Sequence, residues 1–250
     1  MKKLIPVVLI TLCLSSTIIV NAQIKKAAII SIFGNKNLSK DPMNTMLFEA
    51  LLKDSSFDIS GTVLKFEKII DEKMIPVFSF PFMDKKEVVS NGDYQKIKST
   101  LMMTDSEEKK SHHLINPYIP AEGYKNLAAF GIVNDKKAIA KCFEIFPDVD
   151  AVMIAYISYN LYDGGGAMGM SSKKVYAYCN IKMFNKEGKR IFKLKERASS
   201  KKGVMAIGGL VLDPEKLKPM VYDASERLLA DMEAKISKSM AKMAKKLARQ

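Results

Sequence analysis

The chain has 250 residues, 40 basic and 27 acidic, for a formal charge of +13, with 48% hydrophobic residues, 16 methionines and no tryptophan. This length suffices for one larger domain, or two small ones, burying a sizeable core without disulfide staples. The methionine-rich, tryptophan-free composition points to an adaptable core rather than an aromatic sugar-binding platform.

The opening stretch MKKLIPVVLITLCLSSTIIVNAQ has the layout of an export signal. Lys2 and Lys3 precede an apolar run from Leu4 to Val20, and Val20-Asn21-Ala22 offers residues acceptable to a signal peptidase. Cleavage between Ala22 and Gln23 is expected. Ser15, Ser16 and Thr17 dilute the run and no basic stop-transfer cluster follows, which disfavours a retained anchor. Leu12 before Cys13 is the wrong residue for lipidation. The predicted product is a soluble periplasmic or secreted protein. Loss of Lys2 and Lys3 leaves it strongly basic. A basic chain first suggests nucleic acid, but export makes anionic lipid headgroups, envelope polymers or an acidic protein the expected counter-surfaces. Cys142 and Cys179 then remain, each among apolar neighbours. They read as two buried thiols, and a disulfide in an oxidising compartment stays open.

Residues 25–33, KKAAIISIF, read as a buried strand. Asp41-Pro42 supplies a helix start before Met46, Leu47, Ala50 and Leu51, and TVLKFEKIIDEK places Val63, Phe66, Ile69 and Ile70 on one helical side. Pro76 and Pro81 make IPVFSFPFM extended. Residues 84–123 form a polar surface excursion of the same domain, with some helix near 84–98. Asn134 caps a helix with Ala138, Ile139, Cys142, Phe143 and Phe146 on one face, ended by Pro147. VDAVMIAYISYNL at 149–161 is apolar on both faces, as in a strand covered on both sides. KVYAYCNIKMF at 174–184 alternates, NKEGK turns, and RIFKLKER returns antiparallel. Asp213-Pro214 opens a long helix whose stripe runs from Leu217 through Val221, Ala224, Leu228, Met232 and Ile236 to Leu247. The predicted fold is a single α/β domain over 23–250. It has a mixed sheet with a carboxy-terminal antiparallel meander, covered by helices, and a long last helix.

DGGGAMGM at 163–170 places Gly164, Gly166 and Gly169 in the spacing of a dinucleotide loop. Such a loop needs a helix behind it, whose amino terminus faces the pyrophosphate. Here a period-two, tyrosine-rich strand follows, and Glu187 sits in a turn rather than at a strand end. The glycines are therefore expected to form a hairpin connection, with no cofactor.

The histidines are confined to His112 and His113 in the polar excursion, without metal-ligand spacing, and they read as solvated; no catalytic and no metal residue is assigned. Asp148 and Asp150 precede the central strand. Asp148 reads as a turn residue and Asp150 as a partner for a lysine, while a carboxylate pair in an envelope hydrolase stays open. The tail AKISKSMAKMAKKLARQ carries Lys235, Lys238, Lys242, Lys245, Lys246 and Arg249 with no acid. These are candidates for an anionic membrane or a partner protein, against the plainer reading of a basic end complementing its own helix dipole.

KKAAIISIF, DVDAVMIAYISYNL, KKVYAYCNIKMFNKEGKRIFKLKERASSK and the closing helix resemble the α/β unit of the CsgG-like and TolB amino-terminal families. The chain differs in lacking a lipobox cysteine and in carrying the 84–123 excursion. The resemblance implies a non-catalytic envelope protein that binds another protein or assembles with itself. Peripheral membrane binding through the basic last helix is the alternative.

Overall fold

The computed structural model describes residues 24–38, 45–97, 117–127, 132–167 and 170–247, with the side chains of the last helix described to Ile236. The expected leader with Cys13, the expected helix start at Asp41-Pro42, His112 and His113, and Arg249 lie outside the described residues.

Seven described strands form one mixed sheet. Strand β1 (Ala27–Asn35) is buried along its whole length, as its continuous apolar run dictates. It pairs antiparallel with the short edge strand β2 (Tyr118–Pro120) and parallel with β3 (Ala151–Ala167). Strand β3 forms a long hairpin with β4 (Met170–Asn185), which pairs in turn with β5 (Arg190–Ser199). Two short strands, β6 (Val204–Ile207) and β7 (Leu210–Val211), complete the sheet; β6 takes the amino-terminal stretch of β4 that β5 leaves unpaired. The mixed α/β architecture expected from the order of elements is what the chain adopts.

Between β1 and β3 come α1 (Thr45–Lys53), α2 (Ser60–Ile69), α3 (Lys85–Val89), α4 (Gly92–Gln95) and α5 (Ile132–Ile145); α6 (Leu217–Leu247) closes the chain. Asp84 caps α3 by accepting from the Lys86 amide, and Asn91 caps α4 from Asp93 and Tyr94, so helix in the first part of the excursion is found where expected. Two local readings need correction. Residues 75–83 are not extended throughout. A π turn over Ile70–Met74 runs into a 3₁₀ turn, Ile75–Val77, because a proline at the start of a helical turn lacks only an amide that would have no partner there. Near Phe82 the segment is extended, held by the Ala27 amide donating to Pro81 O and Met83 N donating to Ala27 O. The second concerns α5, which begins at Ile132, so Asn134 lies inside its first turn rather than capping it. The surface excursion ends in the edge strand β2. Edge pairing tolerates Pro120 because only one side of β2 must supply donors.

The sheet has two unlike faces. On one, α2 and α6 lie over β1, β4 and β5, and the α6 stripe Leu217, Val221, Ala224, Leu228, Met232 and Ile236 is buried there as its spacing predicts. Gly34 admits α2: a Cβ on it would stand 2.7 Å from Ile59 Cδ1 and from Val63 Cγ2. Tyr159 and Ser225 hydrogen-bond at 2.8 Å across this layer, and Ser225 also donates to Val221 O. The α1–α2 turn docks on α6 through an Asp54–Lys218 ion pair, the Asp58 amide donating to Tyr222 Oη, and Tyr222 Oη donating to Ser56 O.

On the other face, α3, α4 and α5 cover β1 and the start of β3. Tyr94 Oη donates to Ile30 O and accepts from Lys125 N, while Ser31 Oγ donates to Lys125 O and accepts from Leu127 N. The two described cysteines are buried free thiols, Cys142 on α5 and Cys179 on β4 beneath α6, with the sheet between them. Burial pushes the Cys142 thiol up to about 12.

Candidate functional site

Because opposed residues of an antiparallel pair point to the same side, the strand register fixes what the second face presents beyond β3. Along β4 it receives Met170, Ser172, Lys174, Tyr176, Tyr178, Asn180 and Lys182. Ile207 stands opposite Met170 and Met205 opposite Ser172; Leu210 stands opposite Ile207. Arg197 is opposite Tyr178, Lys195 opposite Asn180, and Lys193 opposite Lys182. Tyr162 is opposite Lys174 on the β3 side. The alternate residues of these strands, Val175, Ala177, Cys179, Ile181, Leu194, Val204 and Ala206, point into the helix-covered core. The α6 side therefore buries one half of each strand, while no described helix covers the other half, which is exposed at the hairpin end and along β5, half-buried along most of β4 and buried at Asn180.

The open face is divided along its length. At the hairpin end, Tyr162, Met170, Met205, Ile207, Leu210 and Leu212 are exposed by between 47% (Leu210) and 58% (Met205). Among the described residues they are six of the seven large apolar side chains so exposed; the seventh, Leu64, is on α2. A cluster of this kind marks an interaction surface, whereas scattered singles do not. Next comes a tyrosine zone. Tyr162 packs edge-on to Tyr176 at 5.0 Å, and Tyr176 stacks with Tyr178 at 6.2 Å between ring centroids. The Tyr178 hydroxyl is buried without a hydrogen-bond partner of good geometry, and burial, with the Tyr162 hydroxyl nearby, pushes it above the ordinary tyrosine range.

From Tyr178 onward the face is basic, with Lys174 an outlying cation opposite Tyr162. Lys193, Lys195 and Arg197 are exposed and alternate along β5, about 7 Å apart at strand rise. Lys182 lies opposite Lys193 with its ammonium 5.7 Å from the centre of the Tyr156 ring. No carboxylate belongs to the open-face positions of β3 to β7. Glu196 points to the α6 side, where it borders Leu194, Met232 and Ile236. The crowding has an electrostatic signature: Lys195 first, then desolvation, then Arg190 and Lys182, lower the Lys193 pKa. Directly opposed like charges destabilise a sheet, so this arrangement persists at some cost to folding.

The glycine segment belongs to the same hairpin. Asp163, Gly164 and Gly166 lie in β3, and a Cβ on Gly166 would come 1.9 Å from Met170 O. Glycine is required there for strand-to-strand approach. A strand and not a helix follows, as expected, so no helix dipole addresses the loop.

The carboxylates named from sequence are tied to lysines. Asp148 pairs with Lys26 at 2.8 Å, and Asp150 accepts from the Lys25 amide at 2.9 Å and faces Lys186 at 3.5 Å. They clamp the start of β1 to the α5–β3 turn. A second acidic group went unnoticed in the sequence. Glu67, 7% exposed, pairs with Lys85 at 2.6 Å, and the Lys85 ammonium lies 5.4 Å from the Tyr124 ring centre. Nearby, desolvation, then Glu67 and Glu72 against the opposing pull of Lys85, push Asp71 up to about 6. Among the described residues no three His, Cys, Asp or Glu side chains gather as metal ligands would.

In the basic tail, Lys235 is exposed and pairs with Asp231 at 3.3 Å. Lys238, Lys242, Lys245 and Lys246 lie on the described α6 backbone, with side chains outside the described residues. No described helix is long and apolar enough to cross a membrane.

No protein-family model and no curated protein sequence matches the chain. Among solved structures it is similar to a hypothetical protein of Chlamydia trachomatis, at 8% identity over 84% of this chain and 96% of that one, with a TM-score of 0.31. A neuraminyllactose-binding hemagglutinin homolog of Helicobacter pylori gives 10% identity, coverage of 92% and 91%, and a TM-score of 0.33. A lipoprotein of Neisseria meningitidis gives 11% identity, coverage of 83% and 99%, and a TM-score of 0.27. Scores of this size establish no shared topology, and the functional reading rests on the chain itself.

Proposed function

We propose that this is an exported cell-envelope protein that works as a non-catalytic binding or assembly module, and that the open sheet face is its working surface. The observation that carries the proposal is the gathering of exposed apolar side chains on the hairpin end of that face. Export is supported by the leader that ends at Ala22. The test is retention by cell-envelope fractions of the protein, compared with a variant carrying Ile207→Lys and Leu210→Lys. The expected result is loss of retention with an unchanged melting midpoint, because both side chains are exposed. Equal retention removes the face as working surface.

The raised Asp71 carboxyl beside the buried Glu67–Lys85 pair favours a second reading, an envelope hydrolase using that pair of carboxylates. Turnover of glycan or ester substrates that is abolished by Asp71→Asn would support it and displace the first reading.

A further inference from the structure

We propose that the open face docks on an anionic lipid bilayer, its apolar end entering the hydrocarbon boundary and its β4–β5 cations meeting headgroup phosphates. The inference rests on the open face being the working surface and adds what covers it. Both halves of the face must be satisfied at once. A soluble polyanion would neutralise Lys193, Lys195 and Arg197 yet leave six large apolar side chains in water. A second copy would cover apolar groups but bring further lysines and arginines, with no carboxylate to meet them. An anionic bilayer offers hydrocarbon and phosphate within one interface, which suits an amphipathic surface with a basic polar part.

The order of side chains agrees with this. Tyr176 lies between the apolar end and the β5 cations, with Lys174 on its apolar side, and tyrosine favours the boundary where its ring is apolar and its hydroxyl wet. The hairpin that carries the apolar end extends past β1, whose pairing with β3 stops at Asn35 opposite Ser158. The apolar end is thereby set apart from the helices that cover β1.

The test uses the chain from Gln23 onward, which contains every described element, and co-sedimentation with vesicles. Phosphatidylcholine mixed with phosphatidylglycerol is compared with phosphatidylcholine alone. Expected are binding to the mixed vesicles, much weaker binding to the neutral ones, and a decline with added salt. Replacing Lys193, Lys195 and Arg197 together by Gln weakens binding about a hundredfold, from about fivefold per cation. Ile207→Ser with Leu210→Ser also weakens it, although the net charge is unchanged. Replacing Lys238, Lys242, Lys245 and Lys246 by Gln leaves the difference between vesicles in place.

Absence of binding to mixed vesicles overturns the inference. So does binding that follows the tail lysines alone, or binding indifferent to Ile207 and Leu210. If vesicles are not bound while envelope retention still depends on Ile207 and Leu210, the occupant is a protein bearing acidic and apolar groups. The bilayer inference then falls and the working-surface reading stands; if retention is indifferent too, both fall.

Discussion

At the scale of single residues, two carboxylates report on the fold through opposite shifts. Asp54 is held down from 3.8 to about 2 by Lys218 first, then by the Ser56 side chain and amide. A depressed acid stabilises the fold above its unfolded pKa and loses that contribution as pH falls through the folded value. Asp54→Asn is therefore expected to lower the melting midpoint at neutral pH, with the gap from the parent closing between pH 3.8 and about 2. Asp71 runs the other way, raised from 3.8 to about 6. The folded state there holds its proton more tightly than the unfolded one, so stability falls as pH rises through this window. Asp71→Asn should raise the midpoint above about pH 6, and the gain should vanish below pH 3.8. Thermal melts of both variants across pH read the two signs directly. A gap that did not move with pH in either variant would mean that its carboxyl has no shifted titration in the folded state.

At the scale of elements, the helix-covered face rests on close approach. Gly34→Ala is expected to destabilise by about 1–3 kcal/mol in denaturant titration, because Val63 is β-branched and has little room to turn away from a new methyl. Elements with strong periodicity were legible in the sequence: the alternation of 174–184 and the α6 stripe follow from side-chain spacing alone. Strands β6 and β7 were not, being four and two residues long, too short for periodicity to register. Their signal was available in VMAI-GG-LV, two β-rich runs around a Gly-Gly turn. Gly208 and Gly209 both have positive φ, which such a turn requires. Missing that hairpin hid four of the six apolar residues of the open face. The cations of β5 were visible but unassigned, since spacing shows that they alternate and not which side the helices take. The Glu67–Lys85 and Asp54–Lys218 pairs were illegible for another reason: each joins separate elements, and pairing between distant segments leaves no local mark.

At the scale of the whole molecule, one face presents apolar and basic surface side by side on a chain that is basic overall. The two halves have opposite consequences for self-association. Apolar contact between copies is favourable and nearly indifferent to moderate salt, whereas repulsion between like-charged surfaces is screened. The screening length falls from about 10 Å at 0.1 M salt to about 3 Å at 1 M, shorter than the roughly 7 Å between successive β5 cations. In the absence of a bilayer, the protein should thus sediment as a monomer at low salt and associate increasingly as salt is raised. Met205→Lys with Ile207→Lys should suppress that association, because it extends the charge into the apolar end. Replacing Lys193 and Lys195 by Gln should shift association to lower salt, because it removes the repulsion the salt would screen. Sedimentation velocity over a salt series reads all three. Association that weakened with salt would point instead to attraction between unlike charged surfaces, and would move the contact between copies away from the open face.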